Sequence, residues 1–127
     1  MIPPAQIEGK AELLLEFEDR LAIFDTLILC RFYRDFYLWN VLEDVIHKVT
    51  GLDVGEKALK EKARAIATRI RRFHLREGMQ PEDERLTKAL HQPRTDTGQV
   101  ITEEQLEVML KEYYLLQGWD ETGQPIS

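Results

Sequence analysis

Apolar positions recur at helical spacing along almost the whole chain. Leu13, Phe17, Leu21 and Phe24 fall at i, i+4, i+8 and i+11, with Glu16, Glu18, Asp19 and Arg20 on the other side, and predict an amphipathic helix from about Lys10. From Ile23 to Cys30 the pattern changes. Ile23, Phe24, Leu27, Ile28 and Leu29 leave no polar face, which predicts burial on more than one side and makes this the least solvated stretch expected. It nevertheless contains Asp25, and a buried carboxylate needs hydrogen-bond donors or a cation. A second helix is predicted over 36–49 on the stripe Leu38, Val41, Leu42, Val45 and Val49, stopped by Gly51. Asp53, with Glu56 three residues on, predicts the cap of a third helix. That helix runs to about Arg76 on Leu59, Ala63, Ile66, Ile70 and Phe73, before Gly78.

Pro81 predicts the start of a shorter helix. Glu82, Asp83 and Glu84 suit the positive end of its dipole, Leu86 and Leu90 form its apolar side, and Pro93 closes it. After a polar loop over 91–101, Thr102 and Gln105 have the capping-box pattern, with Ile101 placed to staple onto Leu106. Leu106, Met109, Leu110, Tyr113 and Leu116 are expected to face inward, and Gly118 ends the helix. No stretch alternates with period two for long enough to predict a strand. The expectation is a single all-α domain over 1–127, about five helices in one compact orthogonal-type arrangement, with a flexible lead-in at 1–9.

Composition narrows the function classes. A chain of 127 residues is long enough to bury one core without a disulfide or structural metal. A net charge of −6 argues against general affinity for nucleic acid or an anionic membrane. One cysteine cannot form an internal disulfide, which fits a reducing compartment. No apolar run reaches the roughly 18 residues of a membrane span. Met1-Ile2-Pro3-Pro4 lacks a basic region followed by an apolar stretch, so no secretory signal is expected and the cytoplasm is the expected location. The third helix is rich in Lys and Arg, from Lys57 to Arg76, which would suit a nucleic-acid face. Those residues point all round the helix, Glu56 and Glu61 interrupt them, and few aromatics interleave, so a solvated or subunit-facing surface is expected and no nucleic-acid partner.

The candidate chemistry reduces to Asp25 and Cys30. Cys30 reads either as a structural thiol packed like a small hydrophobe or as a metal ligand, and one thiolate needs further ligands from elsewhere. Asp25 reads as a helix cap, as the partner of an arginine such as Arg31, or as an acceptor for a ligand's amino or ring N–H groups. His47, His74 and His91 sit in separate segments without a metal-ligand partner at i+3 or i+4. No phosphate loop, Ser/His/Asp arrangement or paired-cysteine motif is present, and no catalytic residue is assigned.

Several segments, in order and at the right spacing, resemble the C-terminal helical domain of the tungsten-containing aldehyde:ferredoxin oxidoreductases. The family's Asp-x-x-Gly-Leu-Cys reads here Asp25-Thr26-Leu27-Ile28-Leu29-Cys30, with Ile28 at the motif glycine. Its Thr-Gly pair is Thr50-Gly51. Its Arg-x-Phe-Asn-x-Arg-Glu-Gly reads Arg71-Arg72-Phe73-His74-Leu75-Arg76-Glu77-Gly78, with His74 at the asparagine. Its Tyr-Tyr-x-x-Arg-Gly-Trp-Asp-x-x-Gly-x-Pro ending runs from Tyr113 to Pro125, with Gln117 at the arginine.

The resemblance implies that Cys30 is the fourth ligand of a [4Fe–4S] cluster whose other ligands come from an upstream Cys-x-x-Cys-x-x-x-Cys run. It implies that Asp25 and the neighbouring backbone at Leu29 contact one pterin of a tungsten (or molybdenum) bis-pterin cofactor. The parent protein would oxidise aldehydes to carboxylic acids and pass electrons to ferredoxin, with its remaining domains as this chain's partners, in the same or a separate chain. A homo-oligomer is also open. No cofactor and no catalysis are expected of this chain alone. The competing expectation is a stand-alone helical interaction domain that has lost the redox role.

Overall fold

The computed structural model describes residue 3 and residues 6–126. The expected lead-in falls partly on residues 1, 2, 4 and 5, which lie outside the described residues. The fold class is all-α, as the periodicity predicts. Four α-helices, α1 (Lys10–Thr26), α2 (Trp39–Thr50), α3 (Glu56–Arg76) and α4 (Glu103–Gln117), are joined by 3-10 turns at Arg31–Tyr33, Pro81–Glu84 and Lys88–His91. Among the described residues the β-type pairing is a single isolated bridge, Trp119 to Pro125. No described helix is long and apolar enough to cross a membrane.

The chain divides into two compact units, one of Glu16–Ile70 and one of the described residues up to Leu15 together with Arg71 onward. The first is built on Ile23 and Phe24 of α1, Trp39, Leu42 and Ile46 of α2, and Leu59 and Ala63 of α3. Phe24 and Leu42 are completely enclosed. Tyr37 meets Phe24 edge to face, with ring centroids 5.8 Å apart, the geometry aromatic quadrupoles favour. In the second unit Ala11, Leu15, Tyr114 and Trp119 are buried, together with Arg71 and Gln117.

Several expectations need correction. The buried stripe of α2 is Trp39, Leu42 and Ile46, whereas Leu38 and Val49 are exposed. The helix starts three residues later than expected, and the Trp39 indole reaches the Glu16 carboxylate, which fixes a different face inward. The buried positions of α1 are Ala11, Leu15, Asp19, Arg20, Ile23 and Phe24, so Leu13 and Phe17 lie partly open. Asp53 does not cap α3. It pairs with His47 at 2.7 Å, and the first N–H of the helix, at Glu56, is taken by the Glu43 carboxylate.

The helix expected at Pro81 is only a 3-10 turn capped by Gln80, and the backbone turns extended at Arg85. Its acidic first turn serves a tertiary contact instead, because Glu84 is drawn to Arg71 and Tyr114. Such a contact outweighs the weak local preference of one helical turn. The capping box of α4 forms as expected. The Gln105 N–H donates to Thr102 Oγ1 at 3.2 Å and the Thr102 N–H donates to Gln105 Oε1 at 3.0 Å. Inside α4, however, Tyr114 and Gln117 are the buried residues, while the expected inward set is half-buried.

Candidate functional site: the Cys30 turn

The turn carrying Cys30 is the end of α1, and its backbone explains most of the residue pattern there. The Leu29 N–H donates to the Phe24 carbonyl at 2.9 Å and the Ile28 N–H donates to the Asp25 carbonyl at 3.2 Å. This pair of bonds is a Schellman motif, which requires a left-handed residue at the position where the helix stops. That residue is Ile28, with φ +57°, and it is the one described non-glycine residue with positive φ. Helix α4 ends with the same two bonds, Trp119 to Tyr114 and Gly118 to Leu115, and uses glycine. A β-branched residue there is a true outlier, at a cost of about 1–3 kcal/mol. Leu29 turns back onto the core that contains Phe24, as the apolar partner this motif usually has.

The stretch is therefore not the buried segment its apolarity predicts. Ile23 and Phe24 are buried and Leu27 and Leu29 half-buried, but Asp25, Ile28 and Cys30 are exposed. The left-handed step at Ile28 ends the helix and sends its side chain outward, 93% exposed. Cys30 follows in extended conformation (φ −71°, ψ 118°) and its carbonyl accepts from the Tyr33 N–H at 3.1 Å, opening the next 3-10 turn. The thiol is free.

Asp25 and Arg31 close over this turn. Arg31 Nε donates to Asp25 Oδ1 at 2.9 Å, and its Nη2 donates to the other carboxylate oxygen. The two-pronged contact is the geometry a guanidinium and a carboxylate share. The Arg31 hydrogen bonds hold the Asp25 carboxyl below the usual carboxylate range, so it is ionised at neutral pH. The ion-pair reading of Asp25 is the one the geometry bears out. The three candidate residues Asp25, Leu29 and Cys30 thus share one turn, and Arg31 joins them. Among the described residues no group of three or more His, Cys, Asp or Glu side chains could hold a metal ion.

A second cluster, not foreseen from the sequence, occupies the other unit. Arg71 on α3 lies buried among the aromatic residues of the tail. Its Nη1 and Nη2 donate to the Glu84 carboxylate at 2.6 and 2.8 Å, and its Nε donates to the Gly123 carbonyl at 2.8 Å. Its guanidinium carbon lies 5.5 Å from the Tyr114 ring centre and 5.2 Å from that of Trp119, within cation–π range. The Tyr114 hydroxyl donates to Glu84 at 2.6 Å. Burial pushes the Glu84 carboxyl up, but the bonds from Arg71 and Tyr114 more than reverse this and leave it below its ordinary value. Burial, with the bond to Glu84, pushes Tyr114 up to about 12.

Gly123 leaves room for the guanidinium: a Cβ there would lie 2.4 Å from Arg71 Nη2. Asp120 tightens the same tail, because Oδ1 accepts from the backbone N–H groups of Thr122 and Gln124, each at 2.9 Å. The Arg71 guanidinium, the Glu84 carboxylate and the Tyr114 hydroxyl all have protein partners, which accounts for the cluster as packing. The sequence signal for it was the Tyr113-to-Pro125 segment that carries the family resemblance.

Residues 1–127 match the family described as aldehyde ferredoxin oxidoreductase, domains 2 and 3. The tungsten-containing aldehyde ferredoxin oxidoreductase of Thermococcus kodakarensis is 30% identical over 121 residues, which is 91% of this chain and 20% of that enzyme. The chain thus spans about a fifth of the length of that relative. No solved structure gives a significant match. The match over the whole chain shows that this chain belongs to the aldehyde ferredoxin oxidoreductase family, in its domains 2 and 3.

Proposed function

We propose that this chain supplies the C-terminal helical part of an aldehyde-oxidising enzyme and brings Cys30 to a [4Fe–4S] cluster as its fourth thiolate. The observation that carries the reading is the state of Cys30. It is exposed and unbonded, set at the end of a rigid helix stop, in a chain that belongs to this family. Structural cysteines are usually buried, and an accessible thiol on a fixed turn fits a ligand completed from outside. Leu29 anchors the turn to the core and presents its backbone beside the thiol, where a pterin of a tungsten or molybdenum cofactor would lie. Asp25 fits such a ligand less directly, because its carboxylate is already engaged by Arg31 and would have to share or exchange that partner.

The overall reaction of the complete enzyme would be aldehyde plus water to carboxylic acid, two protons and two electrons, with ferredoxin as electron acceptor. The tungsten centre would supply the two-electron oxidation and the cluster the route for single electrons. This chain would hold one cluster ligand in place and would not catalyse alone.

The test is metal content. In the assembled protein, Cys30→Ser should lower cluster iron at least severalfold while Cys30→Ala in the isolated chain leaves its helical circular dichroism unchanged. Full iron after Cys30→Ser, measured by iron analysis and cluster EPR, would support the stand-alone interaction domain instead. Stoichiometric iron and tungsten in the isolated chain would defeat the claim that it needs partners.

A further inference from the structure

One member of the Arg71 cluster is a thioether. Helix α3 stops with a Schellman pair around left-handed Gly78: the Met79 N–H donates to the His74 carbonyl at 3.0 Å and the Gly78 N–H to the Leu75 carbonyl at 3.2 Å. Those bonds fix the backbone of Met79. Its sulfur accepts from Arg71 Nη1 at 3.5 Å, and the same nitrogen donates to Glu84 Oε1 at 2.6 Å. An Nη nitrogen of a guanidinium carries two hydrogens, so Glu84 and Met79 can each take one. A thioether is a weak acceptor, and it faces a cation that is only 6% exposed. Met79 is half-buried and lines a cavity of about 280 Å³ with Arg71, Gln80, Thr122 and Gln124. Gln80, Thr122 and Gln124 are exposed, so a small solute can enter beside the sulfur. All of these residues belong to the same unit.

We propose that Met79 is a reversible oxidation site, at which a hydroperoxide converts the thioether to a sulfoxide that Arg71 then holds. The sulfur attacks one peroxide oxygen, and the S–O bond forms as the O–O bond breaks. Sulfur loses two electrons and the peroxide gains them. The proton of the transferred oxygen passes to the leaving oxygen, which departs as water or an alcohol. A sulfoxide usually disrupts packing, because it turns an apolar side chain polar. Here a donor is already in place. The sulfoxide oxygen is a stronger acceptor than the thioether, and a hydrogen bond from a guanidinium is charge-assisted. Methionine has three rotatable side-chain bonds, and the cavity gives the sulfur room to withdraw as the new oxygen meets Nη1. The bond to Glu84 uses the other hydrogen and stays. Oxidation of Met79 therefore tightens the cluster that joins α3 to the tail. Met109, half-buried on α4, serves as the internal comparison. The proposal is independent of the role of Cys30.

The experiment treats the full chain with hydrogen peroxide, with Cys30→Ser in place so that the thiol consumes no oxidant. Peptide mass spectrometry assigns the added oxygen to Met79 or Met109. With Met109→Leu added, a volume-conserving change, the Met79 sulfoxide form should melt about 3 °C above the untreated chain. Exchange of the Arg71 Nη protons, read by NMR, should slow at least about threefold as the new bond protects them. An unchanged or lower midpoint overturns the proposal, whether or not the oxidised chain stays folded. So does a Met79 that stays unoxidised while Met109 of the Cys30→Ser chain reacts. The same rise in a chain carrying Met79→Leu would assign the effect to another residue and overturn it too. Incubation with the two stereospecific classes of methionine sulfoxide reductase should restore both mass and midpoint. Mass restored without the midpoint would trace the shift to a different lesion and defeat the claim of a reversible site.

Discussion

The Arg71 cluster and the Cys30 turn differ in how far their polar groups are enclosed. Around Arg71 the guanidinium, the Glu84 carboxylate and the Tyr114 hydroxyl are all satisfied by one another or by the Gly123 carbonyl, under aromatic cover. Around Cys30 the thiol is free, the Asp25 carboxylate is paired with Arg31 at the surface, and the large apolar residues Ile28, Phe32, Tyr33, Phe36 and Leu38 are exposed. Polar groups that close on each other account for themselves as packing, whereas the exposed thiol of Cys30 has no such internal account. The contrast sets an exposed turn in the first unit against a closed, hydrogen-bonded cluster in the second.

The sharpest way to test the closed cluster is to remove one partner of its ion pair. Glu84→Ala leaves Arg71 buried and unpaired and should cost about 3–5 kcal/mol, seen as a fall of order 10 °C in the thermal midpoint. Its pH dependence has a definite sign. The folded Glu84 carboxyl lies below its unfolded value, near 4.3 for a free glutamate. The stability it contributes is therefore complete above that range and lost as pH falls through the folded value. Tyr114, raised to about 12, contributes stability that is complete below pH 10 and lost as pH rises toward 12. The wild-type midpoint should then be level between these limits and fall on both sides. Glu84→Gln should flatten the acid limb.

Gly123→Ala tests the same cluster from the backbone side. The new methyl would sit 2.4 Å from Arg71 Nη2 and 2.9 Å from the Tyr114 ring, at a residue with φ +75°. Left-handed strain and overpacking together predict a loss of about 2–4 kcal/mol, measured by urea denaturation. A neutral result would mean that the tail moves away freely, and the cluster would not be the closed device described.

The open turn should respond with the opposite sign. Ile28→Gly removes the left-handed strain, offset in part by the extra freedom of glycine in the unfolded chain. The net expectation is a gain of about 1 kcal/mol. The same exchange in the other direction, Gly118→Ile, should destabilise by a comparable or larger amount. If Ile28→Gly is destabilising, the exposed Ile28 side chain has a packing role in the isolated chain that its 93% exposure denies.

These outcomes also show what the sequence could carry. The fold class and the order of the four α-helices were legible because periodicity and caps are local, as with Thr102 and Gln105 at the start of α4, but the count of about five was one too high. The faces were less legible: Leu38 and Val49 fit the period of α2 as well as Trp39 and Ile46 do, and tertiary packing with Ile23, Phe24, Leu59 and Ala63 chooses between them. The turn at Pro81 was misread because Glu84 answers to Arg71, 13 residues earlier in the chain. Asp25 and Cys30 were legible as candidates from residue type and motif. Their exposure was not, because an apolar run cannot reveal that a left-handed residue ends the helix inside it. Of the apolar run, Ile28 alone is fully at the surface, with Asp25 and Cys30 beside it.

The smallest effect expected in the isolated chain is also the most informative about the open turn. Asp25 and Arg31 are more than half exposed in their side chains, and exposed pairs of this kind contribute little to stability and are screened by salt. Asp25→Asn should therefore leave the thermal midpoint of the isolated chain nearly unchanged at ordinary ionic strength. Arg31→Gln should return the Asp25 carboxyl toward its ordinary range, read by an NMR pH titration, because the hydrogen bonds from Arg31 are the main cause of its lowering. In the assembled protein the same Asp25→Asn change should reduce released pterin or tungsten content if Asp25 faces the cofactor. A carboxylate that the fold does not need but the cofactor does belongs to the site. One that neither needs would leave Cys30 as the part of this turn that reaches beyond the chain.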